Sequence, residues 1–182
     1  MNFLVTCHAA TLSAERPIKP VRALLGALDH FPEARVIFTK TNSDTEGRVI
    51  NRMVDDYVKK NSDRAVVFTN MGQLKYLSAM KHVDVVIGNS SSGIIEAPAA
   101  KKPSVNIGSR QDGRMKAQSV IDCDETELSI RGAIEKALCN EFQKQRLSLT
   151  SLYGEGDASD RSRECLKTVN LNGILMKRFY ET

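Results

Sequence analysis

Short apolar runs alternate with helix-length amphipathic stretches along most of the 182-residue chain. That alternation restricts the fold more than any single motif. Asn2–Thr6 reads as a first strand, and 17–31 as a helix with a proline-led start and an apolar stripe at Val21, Leu24, Leu25 and Leu28. A second strand covers 34–39. The stretch 46–60 is an amphipathic helix with Val49, Ile50, Met53, Val54, Tyr57 and Val58 on one face. Strands at Ala65–Phe68, 83–87, Ser104–Ile107 and 119–122 complete a set of about six. Helices run through Leu74, Leu77 and Met80, over 92–100 with a kink or end near Pro98, and over Glu127–Leu138, and a terminal helical segment occupies 158–182.

Strands that are apolar on both faces belong to a parallel sheet covered by helices on both sides. Right-handed crossovers then favour a doubly wound, Rossmann-like α/β fold with strand order 3-2-1-4-5-6, one domain over residues 1–182. In such a sheet ligands bind where the strand order reverses, beyond the carboxyl ends of strands one and four. The loop after strand one holds Cys7, His8 and Thr11; the loop after strand four holds Ser90, Ser91 and Ser92. These two loops should face each other across one crevice.

Charge and composition narrow the ligand class. The net charge is +4, with basic residues spread along the chain, and aromatics are 5% of residues. Neither a basic block nor a stacking platform is visible, so a small anion fits better than nucleic acid. Cys7, Cys123, Cys139 and Cys165 show no metal-ligand spacing and read as free thiols, Cys123 and Cys139 as buried ones. A reducing cytoplasm follows as the expected location, with no signal peptide, no membrane span and no metal.

Val83 to Pro98, VDVVIGNSSSGIIEAP, is the most informative segment. A buried strand that ends in a small hydroxyl-rich loop and enters a helix leaves outward-facing N–H groups, an anion site with phosphate as the obvious candidate. Ser91 or Ser92 as a plain helix cap is the alternative. Glu96 lacks a capping-box partner, because the position three before it is Gly93. Its carboxylate suits neutral hydroxyls such as those of ribose, or else it is a surface acid favoured by the helix dipole. His8, at the end of a buried strand, could donate to a phosphate oxygen or leaving group, against a structural role. The loop 108–114, GSRQDGR, carries Arg110 and Arg114 as an anion clamp or as a solvated charged loop. Asn42 and Asp44 could reach a ligand's rim or simply form a turn. Asp122, Asp124 and Glu125 form an acidic cluster that the strand order puts away from the switch point.

Together TCHAATL (6–12), GNSSSGIIEAP (88–98), GSRQDGR (108–114) and YGEG (153–156) resemble the carboxyl-terminal half of UDP-N-acetylglucosamine 2-epimerases. The resemblance is to the hydrolysing branch, which releases UDP and N-acetylmannosamine for sialic acid synthesis. It implies one half of a two-domain GT-B fold, with the amino-terminal domain absent and a homo-oligomer in the full-length form. It further implies that Ser90 and Ser91 meet the diphosphate of a UDP-sugar, Glu96 the ribose and Arg110 the nucleotide; Ser92, Arg114 and Asn42 join them as UDP-binding candidates from the reading of their own loops. Met71 would meet uracil through its backbone, and His8 would take part in the chemistry. The family reaction eliminates UDP and adds water with inversion at the second sugar carbon, without a cofactor. Its carboxylate base and second acid come from the amino-terminal domain, so these 182 residues alone should be inactive. Ala9 and Leu152 stand where relatives often carry proline. A non-hydrolysing epimerase, a glycosyltransferase domain or a non-catalytic nucleotide module are the rival readings. A dinucleotide-binding domain is disfavoured, because no GxGxxG follows the first strand.

Overall fold

A computed structural model describes residues 1–9, 18–41, 45–145, 152–154 and 156–176. These divide into two compact units, Met1–Leu152 and Tyr153–Thr182. The first is built on a six-stranded, all-parallel sheet with the order β3-β2-β1-β4-β5-β6. Its strands are β1 (Asn2–Thr6), β2 (Arg35–Thr39), β3 (Ala65–Phe68), β4 (Val85–Gly88), β5 (Ser104–Ile107) and β6 (Val120–Cys123). The helices are α1 (Ile18–Asp29), α2 (Thr45–Lys60), α3 (Gly72–His82), α4 (Glu96–Ala99), α5 (Glu127–Leu138) and α6 (Asn140–Gln145). The second unit holds α7 (Ala158–Thr168), laced by an Arg161–Asp157 ion pair four residues apart.

Alternation along the strands sorts the side chains onto two faces. Phe3, Val5, Val36, Phe38, Val85 and Ile87 join Leu24 and Leu28 of α1, Ile50 and Tyr57 of α2, and Ile130 and Ile134 of α5 in the larger core. Leu4 and Val86, one residue out of phase, pack with Met80 of α3 and Ala97 of α4. Sheet faces covered on both sides are what near-continuous apolar strands require, and each fully buried large side chain contributes roughly 1.5–3 kcal/mol. Register then aligns the carboxyl ends: Thr6 sits opposite both Thr39 and Gly88, and Gly88 opposite Asn106. Gly88 is obligatory at this meeting point. Its φ is +137°, and a Cβ there would collide with the Thr6 carbonyl oxygen.

Two expectations need correction. The helix anticipated over 92–100 is not continuous: a 3₁₀ turn at Ser91–Gly93 is followed by the four-residue α4. Pro98 has no N–H to donate to Ile94, and small polar residues favour a local cap over a helical turn. The Ser90 side chain accepts from the Ser92 N–H, and the Ser104 hydroxyl donates to the Gly93 carbonyl at 2.5 Å. Cys139 is exposed, because it forms the extended cap of α5 with ψ 144° instead of lying on its apolar face.

Candidate functional site

The crevice at the sheet's reversal is assembled by one asparagine. Asn89 follows β4 and is buried, and its side chain clasps the main chain of His8 from both ends. His8 N–H donates to Asn89 Oδ1 at 2.7 Å, and Asn89 Nδ2 donates to the His8 carbonyl at 2.8 Å. The Asn89 N–H reaches back to the Thr6 carbonyl at 3.3 Å. On its other side the Asn89 carbonyl accepts from Arg110 at 2.9 Å and from the buried Gln111 Nε2 at 2.7 Å. Three loops, one of them eighty-one positions away in the chain, therefore converge on one residue. The anticipated meeting of His8 with the serine loop is present.

The serine turn divides its groups between scaffold and solvent. The Gly93 N–H donates to the Ser90 carbonyl at 3.1 Å, and the Ile94 N–H to the Ser91 carbonyl at 3.0 Å. Ser92 N–H is taken by Ser90 Oγ at 3.4 Å. Among the described residues, the N–H groups of Ser90 and Ser91 have no protein acceptor. Ser92 is buried, and its hydroxyl lies 2.6 Å from the Tyr76 hydroxyl and 3.2 Å from Ser90 Oγ. It braces the turn from behind. Glu96 opens α4 with no side-chain cap before it, and its Oε2 is buried without a hydrogen-bond partner among the described residues. That is an unusual state for a carboxylate oxygen in a settled scaffold.

His8 itself is held at the ring. Its Nδ1 lies 2.8 Å from the Thr41 hydroxyl, just beyond β2. Arg110 and Arg114 are exposed on the loop after β5, and Met71 immediately precedes α3. Asn42, Asp44 and Thr11 lie outside the described residues. Glu125 departs from its expected placement. A Cβ at Gly108 would collide with its carboxylate, and its charge helps raise the thiol of Cys7. Burial is the larger cause, and together they push Cys7 up to about 12. With Asp122 and Asp124, Glu125 lines a cleft of about 550 Å³ beyond β5 and β6, next to Gly108 and Ser109. Among the described residues no three His, Cys, Asp or Glu side chains gather as metal ligands.

Asn89, Tyr76, Gln111, Thr41 and Glu125 carried no predicted role. Asn89 and Gln111 sat inside quoted motifs, and Thr41 follows a strand end at the correct edge. Nothing in the sequence points to Tyr76, whose hydroxyl meets the serine turn only through folding.

Solved structures share this architecture. A Staphylococcus aureus MnaA–UDP co-structure superposes with a TM-score of 0.71 over 97% of this chain and 47% of that one, at 17% identity. UDP-GlcNAc 2-epimerase from Neisseria meningitidis, bound to UDP-GlcNAc, gives 0.66 over 92% and 44%, at 15% identity. A sucrose-phosphate synthase from Thermosynechococcus elongatus gives 0.52. The first unit is thus a Rossmann-like domain of the GT-B type. Sequence is more specific: the family model described as UDP-N-acetylglucosamine 2-epimerase matches residues 1–167, and the chain belongs to that family. The GDP/UDP-N,N'-diacetylbacillosamine 2-epimerase (hydrolyzing) of Campylobacter jejuni is 41% identical over 98% of this chain and 46% of its own length. Polysialic acid biosynthesis protein P7 of Escherichia coli is 37% identical over 66% of this chain and 30% of its own length. The chain spans half or less of the length of the curated relatives it matches. Among the described residues no helix is long and apolar enough to cross a membrane.

Proposed function

We propose that this chain is the UDP-binding half of a hydrolysing 2-epimerase acting on UDP-N-acetylglucosamine, releasing UDP and N-acetylmannosamine for sialic acid synthesis. The observation that carries the reading is the switch-point crevice, where Asn89 ties His8 to a serine turn whose Ser90 and Ser91 N–H groups have no acceptor among the described residues. Those amides and hydroxyls suit a pyrophosphate, with Arg110 and Arg114 supplying positive charge. The unpartnered Glu96 Oε2 suits a ribose hydroxyl, and the backbone at Met71 suits uracil.

His8 donates a hydrogen bond to the departing phosphate oxygen. In the reaction, a carboxylate removes the proton at the second sugar carbon, the anomeric C–O bond breaks, and its electron pair leaves with UDP. Water then adds across the resulting double bond with inversion at the second carbon. The carboxylate belongs to a second domain, consistent with relatives about twice as long as this chain. The Campylobacter relative favours a second substrate reading, a UDP-linked diacetamido sugar.

Calorimetric titration of the chain with UDP, UMP and NAD tests the site. UDP binding tighter than UMP, with no response to NAD, is expected; no heat with UDP overturns the reading. Turnover by these 182 residues alone would overturn the assignment as a half-enzyme. Comparing release of the two free acetamido sugars by the two-domain protein separates the substrates.

A further inference from the structure

The ring of His8 is controlled by a second asparagine clasp that has no part in the site described so far. Asn51, on the first half of α2, grips the main chain of Thr41 as Asn89 grips His8. The Thr41 N–H donates to Asn51 Oδ1 at 3.0 Å, and Asn51 Nδ2 donates to the Thr41 carbonyl at 3.2 Å. Thr41 is buried, and its hydroxyl lies 2.8 Å from His8 Nδ1. The direction of that hydrogen bond follows from counting partners. If Nδ1 carried the proton, the Thr41 hydroxyl would accept it and its own hydrogen would be buried with nothing to receive it. Among the described residues, His8 Nδ1 is the sole partner of that hydroxyl. An unmet buried donor costs on the order of 1–3 kcal/mol, enough to decide between two tautomers of similar intrinsic energy.

We propose that Thr41, clamped by Asn51, is a positioning residue that donates to His8 Nδ1 and holds the neutral ring in its Nε2–H tautomer. Its importance for ligand binding rests on the proposed UDP site, because a proton on Nε2 is what a ring donating to phosphate needs. The tautomer itself does not rest on that reading. Asn51 touches neither His8 nor the serine turn through any described contact, so its effect on the ring passes through Thr41.

The chain has three histidines, His8, His30 and His82, so ¹⁵N-histidine labelling resolves each ring, with His8→Gln assigning the first. At about pH 8, where an ordinary imidazole is neutral, the His8 ring should show a proton-bearing Nε2 and a bare, hydrogen-bonded Nδ1. Thr41→Val should collapse this to a tautomer mixture and weaken UDP binding about three- to tenfold, the scale of one hydrogen bond. Thr41→Ser, which keeps the hydroxyl, should preserve both. A proton on Nδ1 in the unmodified chain overturns the proposal, and so does a Thr41→Val ring and affinity identical to the parent's. If Thr41→Val does not fold, the parent spectrum and Thr41→Ser still decide. The expected tautomer in a chain that does not bind UDP would uphold the Thr41 assignment while the nucleotide reading fell.

Discussion

Replacing Asn89 by alanine removes two hydrogen bonds at once, both to one residue eighty-one positions away. Each contributes about 1 kcal/mol net, and the His8 N–H loses its acceptor in a partly buried place, which costs on the order of another 1 kcal/mol. The Asn89 carbonyl that receives Arg110 and Gln111 survives the substitution, so the third loop keeps its anchor. A loss of about 2–3 kcal/mol follows. For a chain of this size that corresponds to a fall in Tm of roughly 4–12 °C. Urea unfolding followed by circular dichroism should show a lower midpoint with an unchanged slope, since the surface exposed on unfolding is the same. Asn89→Asp keeps the acceptor for the His8 N–H but sets a buried carboxylate oxygen against the His8 carbonyl, so it should lose at least as much stability as the alanine variant. A loss below about 0.5 kcal/mol for Asn89→Ala would refute the claim that this side chain assembles the crevice.

Other outcomes bear on the ligand and the thiols. Ser91→Ala and Arg110→Ala should each weaken UDP binding by about 1–3 kcal/mol in calorimetry, the range of charge-assisted hydrogen bonds; two unchanged titrations would count against the phosphate site. Glu96→Gln should reduce affinity for uridine ligands more than for free pyrophosphate, and equal losses would remove the ribose assignment. Burial, with acidic neighbours, raises Cys7 and Cys123 from 9.0 to about 12. Their contribution to stability is therefore complete below pH 9 and disappears as pH rises toward 12. Urea midpoints should fall across that window. At pH 8, alkylation read by mass spectrometry should modify exposed Cys139 and Cys165 well before the other two.

The sheet was legible because its signals are local and repeated. Four-residue apolar runs such as Ala65–Phe68, separated by helices of fixed period, leave little choice but a parallel sheet, and crossover handedness fixes the order. The site was legible to the level of its loops. Placing His8 opposite the serines required only strand order, whereas naming Asn89 as their link required the register that sets Thr6 beside Gly88. The helix after the serines was started too early because Ile94, Ile95, Ala97 and Ala100 carry a helical pattern that the Ser90 cap overrides, whereas its end near Pro98 was legible. Glu125 was placed by strand number alone. Its side chain bends back over Gly108, a direction that no one-dimensional pattern encodes.

The replacement of the expected helix start by a 3₁₀ turn and the four-residue α4 changes what can hold an anion at this turn. A macrodipole near half a charge needs several aligned turns, and α4 offers four residues beginning five positions after Ser91. In the proposed site the attraction that the sequence assigned to a helix comes instead from individual groups: two N–H donors without an acceptor among the described residues, the hydroxyls of Ser90 and Ser91, and the arginines of the next loop. Such groups stabilise an anion only if their positions are fixed before it arrives, because any freedom they keep is lost on binding. That requirement gives the hydrogen-bond network its purpose. Asn89 fixes Arg110 and His8 against the same backbone, Tyr76 fixes Ser92 beneath Ser90, and Asn51 with Thr41 fixes the imidazole. Rigidity supplied by side-chain amides stands in for the helix, and it places uncharged scaffold residues in control of a site proposed to take a charged ligand.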